Sequence, residues 1–214
     1  LCRDKAYTTL LLDRAGLPTI PFQLYFTNDR RAAWRAPGRE ISDLMARVRT
    51  DGFPVFAKPN LGSRGEYAEQ IDSPEALADW LGRVGAEHES ILIQPVIAGA
   101  EYRVFILDGE AIFSYRKEAD GPGPANLARG GEVREFTDQP PPALAAMALA
   151  AARAMDLRLA GIDLFDTTRP GEEPSFRIIE VNANPNFESL ERVGREDLIL
   201  RIWSATFDAA LGPA

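Results

Sequence analysis

The sequence predicts an α+β fold in two lobes. Strand and helix patterns alternate through the first half of the 214 residues, and hairpins backed by helices dominate the second half. The pattern changes between Val96 and Gly99, where the lobes divide. No internal repeat or low-complexity tract is present; the Ala-rich tract near residue 148 keeps helical spacing and reads as structure.

Asp4 is placed to cap a helix through Leu10, Leu11 and Leu12, ended by Gly16 and Pro18. PFQLYF alternates and reads as a strand. An Arg-rich connection leads to a helix over residues 40–50. FPVFAKPN is a short apolar strand ending in Lys58 and Pro59, and LGSRGEY is a glycine-rich turn. SPEALADWLGRV has a Ser cap, Pro at the first helical position, and Leu77, Trp80 and Leu81 at helical spacing. SILIQPVI is a strand, and EYRVFILDGEAIFSYRKE is a hairpin about Asp108-Gly109. Residues 120–131 form a glycine- and proline-rich loop. PPALAAMALAAARAMDL is a helix whose alanines suit close packing on a sheet. RLAGIDLFD and SFRIIEVN are strands joined by TTRPGEEP, and residues 188–211 read as one helix.

Composition removes several function classes. A net charge of −8 argues against general binding to nucleic acid or anionic membrane, both of which need a basic surface. One cysteine, Cys2, excludes an internal disulfide and fits a reducing cytoplasm. The single histidine, His88, lies in the polar run GAEHES, so neither a zinc cluster nor a Ser/His/Asp triad can be assembled. No apolar run approaches the roughly 20 residues of a membrane helix, and no signal peptide is visible. The opening LCRDKAYTT lies already inside a helical pattern and reads as a piece cut from a longer polypeptide.

Two clusters carry the chemistry. In FRIIEVNANPNF, alternation puts Ile178, Glu180 and Asn182 on one face and Ile179, Val181 and Ala183 on the other. A hairpin about residues 171 and 172 sets Asp163 opposite Glu180, with Cβ atoms about 4.5–5.5 Å apart. Two carboxylates that close repel unless a cation lies between them, and hard oxygen ligands suit Mg²⁺. A sheet edge guarded by charges is the alternative. Opposite in character is Lys58, at the end of a strand and directly before LGSRG. Gly62 and Gly65 permit positive φ and let backbone N–H groups approach an anion. The loop is not a Walker A sequence, and an ordinary turn also accounts for it.

The order DKAYTTLLLDRAGLPT, FAKPNLGSRGE, IQPVIAGAEYRVFILDGE, GIDLF and IIEVNANPN resembles the ATP-grasp carboxylate–amine ligases. The resemblance is nearest to the glutathione-synthetase and ribosomal-protein glutamate-ligase branch and covers nearly the whole chain. It implies an ATP-grasp fold that grips ATP between two antiparallel sheets. Residues 1–17 would be the N-terminal helix of the core, 18–96 the small lobe with a glycine-rich lid loop, and 97–214 the large lobe with the metal site. Lys5 and Lys58 would contact ATP phosphates, and Gly62, Ser63, Arg64 and Gly65 would close over them. Gln94, Pro95, Val96 and Ile97 would form the hinge that reads the adenine edge, and Glu101 would bind the ribose hydroxyls. Asp163, Glu180 and Asn182 would hold Mg²⁺, two ions bridged by Glu180, with Mn²⁺ as the alternative metal. Arg116 would steady the acyl-phosphate, and Asn126 and Arg129, in NLARGG, would belong to a loop covering the site. Phe187, Glu188 and Arg192 are candidates to line the acceptor site; a packed helix start is the other reading.

Two departures qualify the resemblance. D-Alanine–D-alanine ligases carry an Arg just before the metal Asp motif, where this chain reads Ala160-Gly161-Ile162-Asp163. Family members also carry an N-terminal domain that supplies part of the acceptor site; a chain opening at the DK motif is expected to lack it, as a fragment or as a chain with a missing partner domain, and a homodimer is a further expectation without a sequence signature. The implied activity is amide formation in which a carboxylate attacks the γ-phosphorus and an amine then displaces phosphate. An ATP-binding module without ligase activity and a kinase-like phosphotransferase are the alternatives.

Overall fold

The computed structural model describes residues 2–30, 32–118 and 131–212. Its strands form two antiparallel sheets. The smaller has β1 (Gln23–Phe26), β4 (Ser90–Pro95), β2 (Val55–Pro59) and β3 (Glu69–Ile71), in that order. The larger runs β7 (Glu132–Thr137), β6 (Glu110–Glu118), β5 (Ala100–Leu107), β8 (Leu159–Asp166) and β9 (Phe176–Asn182). Only residues 96–99 connect β4 of one sheet to β5 of the other.

The helices form where their caps and apolar spacing require. In α1 (Lys5–Arg14) the Asp4 carboxylate accepts from the Tyr7 N–H at 2.9 Å. In α3 (Pro74–Val84) Ser73 accepts from the Ala76 N–H at 3.1 Å, and Leu77, Trp80 and Val84 are fully buried. Those three close the small sheet's core together with Leu44 and Val48 of α2 (Ile41–Asp51). In α4 (Pro142–Ala154), Ala148, Ala151 and Ala152 lie flush against Val104, Ile106, Ala160 and Ile162 of the large sheet. The short side chains are what let this helix approach so closely.

The large sheet is covered on both faces, which explains the unbroken apolar run of β5. Val104 and Ile106 face α4, while Phe105 and Leu107 face α5 (Glu188–Arg192) and α6 (Glu196–Leu211). The Asp108-Gly109 hairpin has positive φ at both turn residues, 50° and 83°, as a tight turn between twisted strands demands.

Four features differ from the sequence expectation. β3 has three residues and no alternation to reveal it. β7 is a charged edge strand whose ladder is irregular, with φ of 48° at Glu135. The helix expected over residues 188–211 is two helices, because Gly194 adopts φ of 67° between them. Finally, a bulge in the β8–β9 ladder, between Asp163 and Leu164, breaks the alternation of β9. Ile178 turns into the core with Val181, and Ile179 joins Glu180 and Asn182 on the cleft side.

Candidate active site: the cleft between the two sheets

A cleft of about 1290 Å³ separates the sheets. The small lobe supplies Lys58 from β2, Ser63, Arg64 and Gly65 from the loop after it, and Gln94, Pro95, Val96 and Ile97 from the end of β4 and the crossing segment. The large sheet supplies Glu101 and Arg103 from β5, Lys117 from β6, Asp163 from β8 and Glu180 and Asn182 from β9. Arg64 and Gly65 have φ of 57° and 66°, so the loop turns sharply at its tip.

Lys58 is 6% exposed and has no hydrogen-bond or ion-pair partner among the described residues. Burial drives its ammonium down to about 8, against the pull of Glu180, the acid acting on it most strongly. An orphaned cation in a cleft is a fit for a phosphate group. Lys5 sits behind this point: its Nζ donates to the Gly62 carbonyl at 2.9 Å, and neither residue lines the cleft.

The register Asp163↔Glu180 is the one the hairpin argument requires. The partners of Asp163 are different from those expected. Arg103 Nε and Nη2 donate to its two oxygens, each at 2.6 Å. Lys117 Nζ lies 2.9 Å from Oδ1, and Asn182 Nδ2 donates to Oδ2 at 3.4 Å. A carboxylate offers about four lone-pair sites, so these four contacts fill it. Burial raises the Asp163 carboxyl, but Arg103 and Lys117 outweigh it and hold it at about 2. Burial pulls both cations down, and the neighbouring acids more than restore them. Glu180 has no such partner among the described residues. Arg103 and Lys117 thus neutralise Asp163, while Glu180 keeps its charge toward the cleft. No group of three or more His, Cys, Asp and Glu is arranged for a metal among the described residues. The donor set that suits Mg²⁺ is Glu180 with the Asn182 side-chain oxygen, and Asp163 joins only by exchanging one of its present donors.

Glu101 is likewise occupied, accepting from Lys117 Nζ at 2.5 Å. Burial pushes its carboxyl up, against Lys117. Arg116 also lines the cleft, but it stays apart from this charge cluster: it pairs opposite Tyr102, and its Nε donates to Glu135 at 2.9 Å. Lys117 is the cation of β6 that reaches Glu101 and Asp163, and sequence reasoning missed it. A DG hairpin of unbroken register sets Arg116 opposite Glu101; a bulge between Phe105 and Ile106 shifts that place to Lys117. Asn126 and Arg129 lie outside the described residues.

Residues 2–205 match the RimK-like ATP-grasp domain. The probable alpha-L-glutamate ligase of Legionella pneumophila (strain Corby) is 28% identical over 204 residues, covering 94% of this chain and 61% of that protein. Its counterpart in Hydrogenovibrio crunogenus is 29% identical over 206 residues, covering 94% and 62%. The chain therefore spans less than two thirds of the length of these curated relatives. Among solved structures, D-alanine–D-alanine ligase from Bacillus anthracis aligns with a TM-score of 0.65 at 19% identity, over 98% of this chain and 68% of that one. ATP-grasp ligase PsnB, complexed with a phosphomimetic variant of its minimal precursor, Mg and ADP, aligns with a TM-score of 0.63 at 20% identity, over 95% and 58%. The fold is the ATP-grasp fold.

Proposed function

The chain belongs to the RimK-like ATP-grasp family, and from that premise we propose that it joins a carboxylate to an amine at the expense of ATP. The observation that carries this reading is Lys58: a buried, unpartnered ammonium facing a cleft whose other wall offers the unpaired Glu180 carboxylate. Lys58 would neutralise charge on the phosphate being transferred, which is most of what phosphoryl transfer asks of a protein. The backbone from Gln94 to Ile97 would hold the base, and the loop from Ser63 to Gly65 would cover the phosphates and exclude water from the acyl-phosphate. Mg²⁺, held by Glu180 and Asn182, would supply further neutralisation of phosphate charge. Arg103 and Lys117 keep Asp163 and Glu101 fixed along the floor of the cleft. No protein nucleophile is required, in keeping with a cleft that has neither Cys nor His in its lining.

The substrates follow the relatives named above: an amino acid or peptide carboxylate and an amino-acid amine, with glutamate the first to test. The test is mass spectrometry of an amino-acid mixture incubated with the protein, ATP and Mg²⁺. A new conjugate lighter by one water, formed with amine-dependent phosphate release, is the expected result. One observation favours a second reading, an ATP-binding module without ligase activity: the saturation of Asp163 by protein donors. ATP binding with no phosphate release under any amine would establish the module and exclude the ligase.

A further inference from the structure

Helix α6 is apolar on two opposite sides. Leu198 and Ile202 are buried against the large sheet, as a covering helix requires. Roughly half a turn round, Leu200, Trp203, Phe207 and Leu211 fall within about 80° of arc and face solvent. They are 67%, 47%, 55% and 83% exposed, respectively. The patch is continuous: the rings of Trp203 and Phe207 stack at 5.7 Å, and Phe187 meets Trp203 edge-on at 5.9 Å. From Thr206 to Leu211 every residue is exposed, so the last turns of the helix stand off the body of the protein. A contiguous apolar surface of this kind marks a contact site.

We propose that this face of α6 is a homodimer interface, in which two copies pair their α6 helices antiparallel across a two-fold axis. Charge and area both point to a second copy. Across a two-fold axis, if residue i of one protomer meets residue j, then j also meets i. Arg201 and Asp208 lie on the same flank of the stripe, seven residues or about 10 Å apart along the axis. Antiparallel pairing brings Arg201 of each protomer to Asp208 of its partner, giving two ion pairs at the rim. The midpoint of this charged pair falls within about one residue of the midpoint of the apolar stripe, so one axis satisfies both. Asp208 has no ion-pair partner among the described residues, and Arg201 now reaches Glu110 across an exposed 2.8 Å contact. At roughly 200 Å² for a side chain of this size, the exposed fractions amount to about 500 Å² per copy. Two copies bury about 1,000 Å², the lower bound of a specific interface, and the proposed dimer has a micromolar dissociation constant.

Sedimentation equilibrium of the chain up to about 200 μM tests this, because a micromolar dimer is then essentially complete. The expected species is a dimer of the 23.5 kDa chain. Trp203→Glu with Phe207→Glu should yield a monomer with an unchanged circular-dichroism spectrum, since both side chains are on the surface. Asp208→Arg should raise the dissociation constant roughly tenfold, and adding Arg201→Asp should restore it. That exchange separates pairing from any loss of folding. A chain monomeric at the highest concentration, a dimer that survives the double glutamate variant, or a charge exchange that fails to restore association would each overturn the proposal.

Discussion

Lys58 yields a prediction with a magnitude. Burial lowers its ammonium from 10.5 to about 8, against the pull of Glu180. The free protein therefore loses the Lys58 proton as pH rises through about 8, whereas a bound triphosphate requires the charged form. Above that point binding must take up a proton, and the dissociation constant for the nucleotide grows as one plus ten to the power of pH minus 8. Between pH 7.5 and pH 9 that factor rises from about 1.3 to about 11, so affinity should fall about eightfold, or ~1.2 kcal/mol. Burial also pushes the Cys2 thiol above its usual 9.0, which keeps it out of this interval. Isothermal titration of a non-hydrolysable ATP analogue at half-unit pH steps measures the slope. Two buffers of different ionisation enthalpy at pH 9 measure the proton uptake directly. Lys58→Met should bind more weakly at pH 7.5 and lose the slope. A flat profile in the parent protein, or a slope retained by Lys58→Met, would refute the assignment of Lys58 to the phosphates.

The other predictions turn on contacts already described. Asp163→Ala leaves Arg103 and Lys117 buried without their acid and should cost ~3–5 kcal/mol. Glu180→Ala removes a carboxylate with no ion pair among the described residues; it should cost under ~1 kcal/mol yet abolish phosphate release. Equal losses in denaturant unfolding for the two variants would contradict the geometry. Gly99 lies where the chain crosses between the sheets, and a Cβ there would meet the Asp166 carbonyl at 2.2 Å. Gly99→Ala should therefore lose ~1–3 kcal/mol and displace the end of β8, measured by urea unfolding and by nucleotide affinity.

The fold was legible because its signals are local. Asp4 and Ser73 announce helix starts, Asp108-Gly109 announces the hairpin, and the alternation of IDLF against IIEVN places Asp163 opposite Glu180. What escaped is where one extra residue enters a ladder. The bulge at Phe105/Ile106 brings Lys117 to Glu101 in place of Arg116, and the one at Asp163/Leu164 moves Ile179 to the cleft side. A bulge leaves no composition signature, yet it reverses every face beyond it. The charge balance escaped for another reason. Arg103 and Asp163 are 60 residues apart in sequence, and their pairing depends on β5 lying beside β8. Sequence reasoning saw two facing acids and inferred a cation between them. Asp163 also holds two protein cations, Arg103 from the neighbouring β5 and Lys117 from β6.

The same topology explains how the two walls of the cleft are kept in register. α1 belongs to the large-lobe core through Leu12, yet its first turn is bonded to the end of β2. The Lys5 N–H donates to the Asn60 carbonyl at 3.2 Å, and the Ala6 N–H donates to Asn60 Oδ1 at 2.8 Å. Asn60 follows Lys58 by two residues, so the buried lysine is held from the large lobe by this clasp and by the crossing at residues 96–99. Lys5 extends the clasp to the start of the glycine loop by donating to the Gly62 carbonyl. The helix that anchors one lobe to the other thereby also fixes where the glycine loop begins.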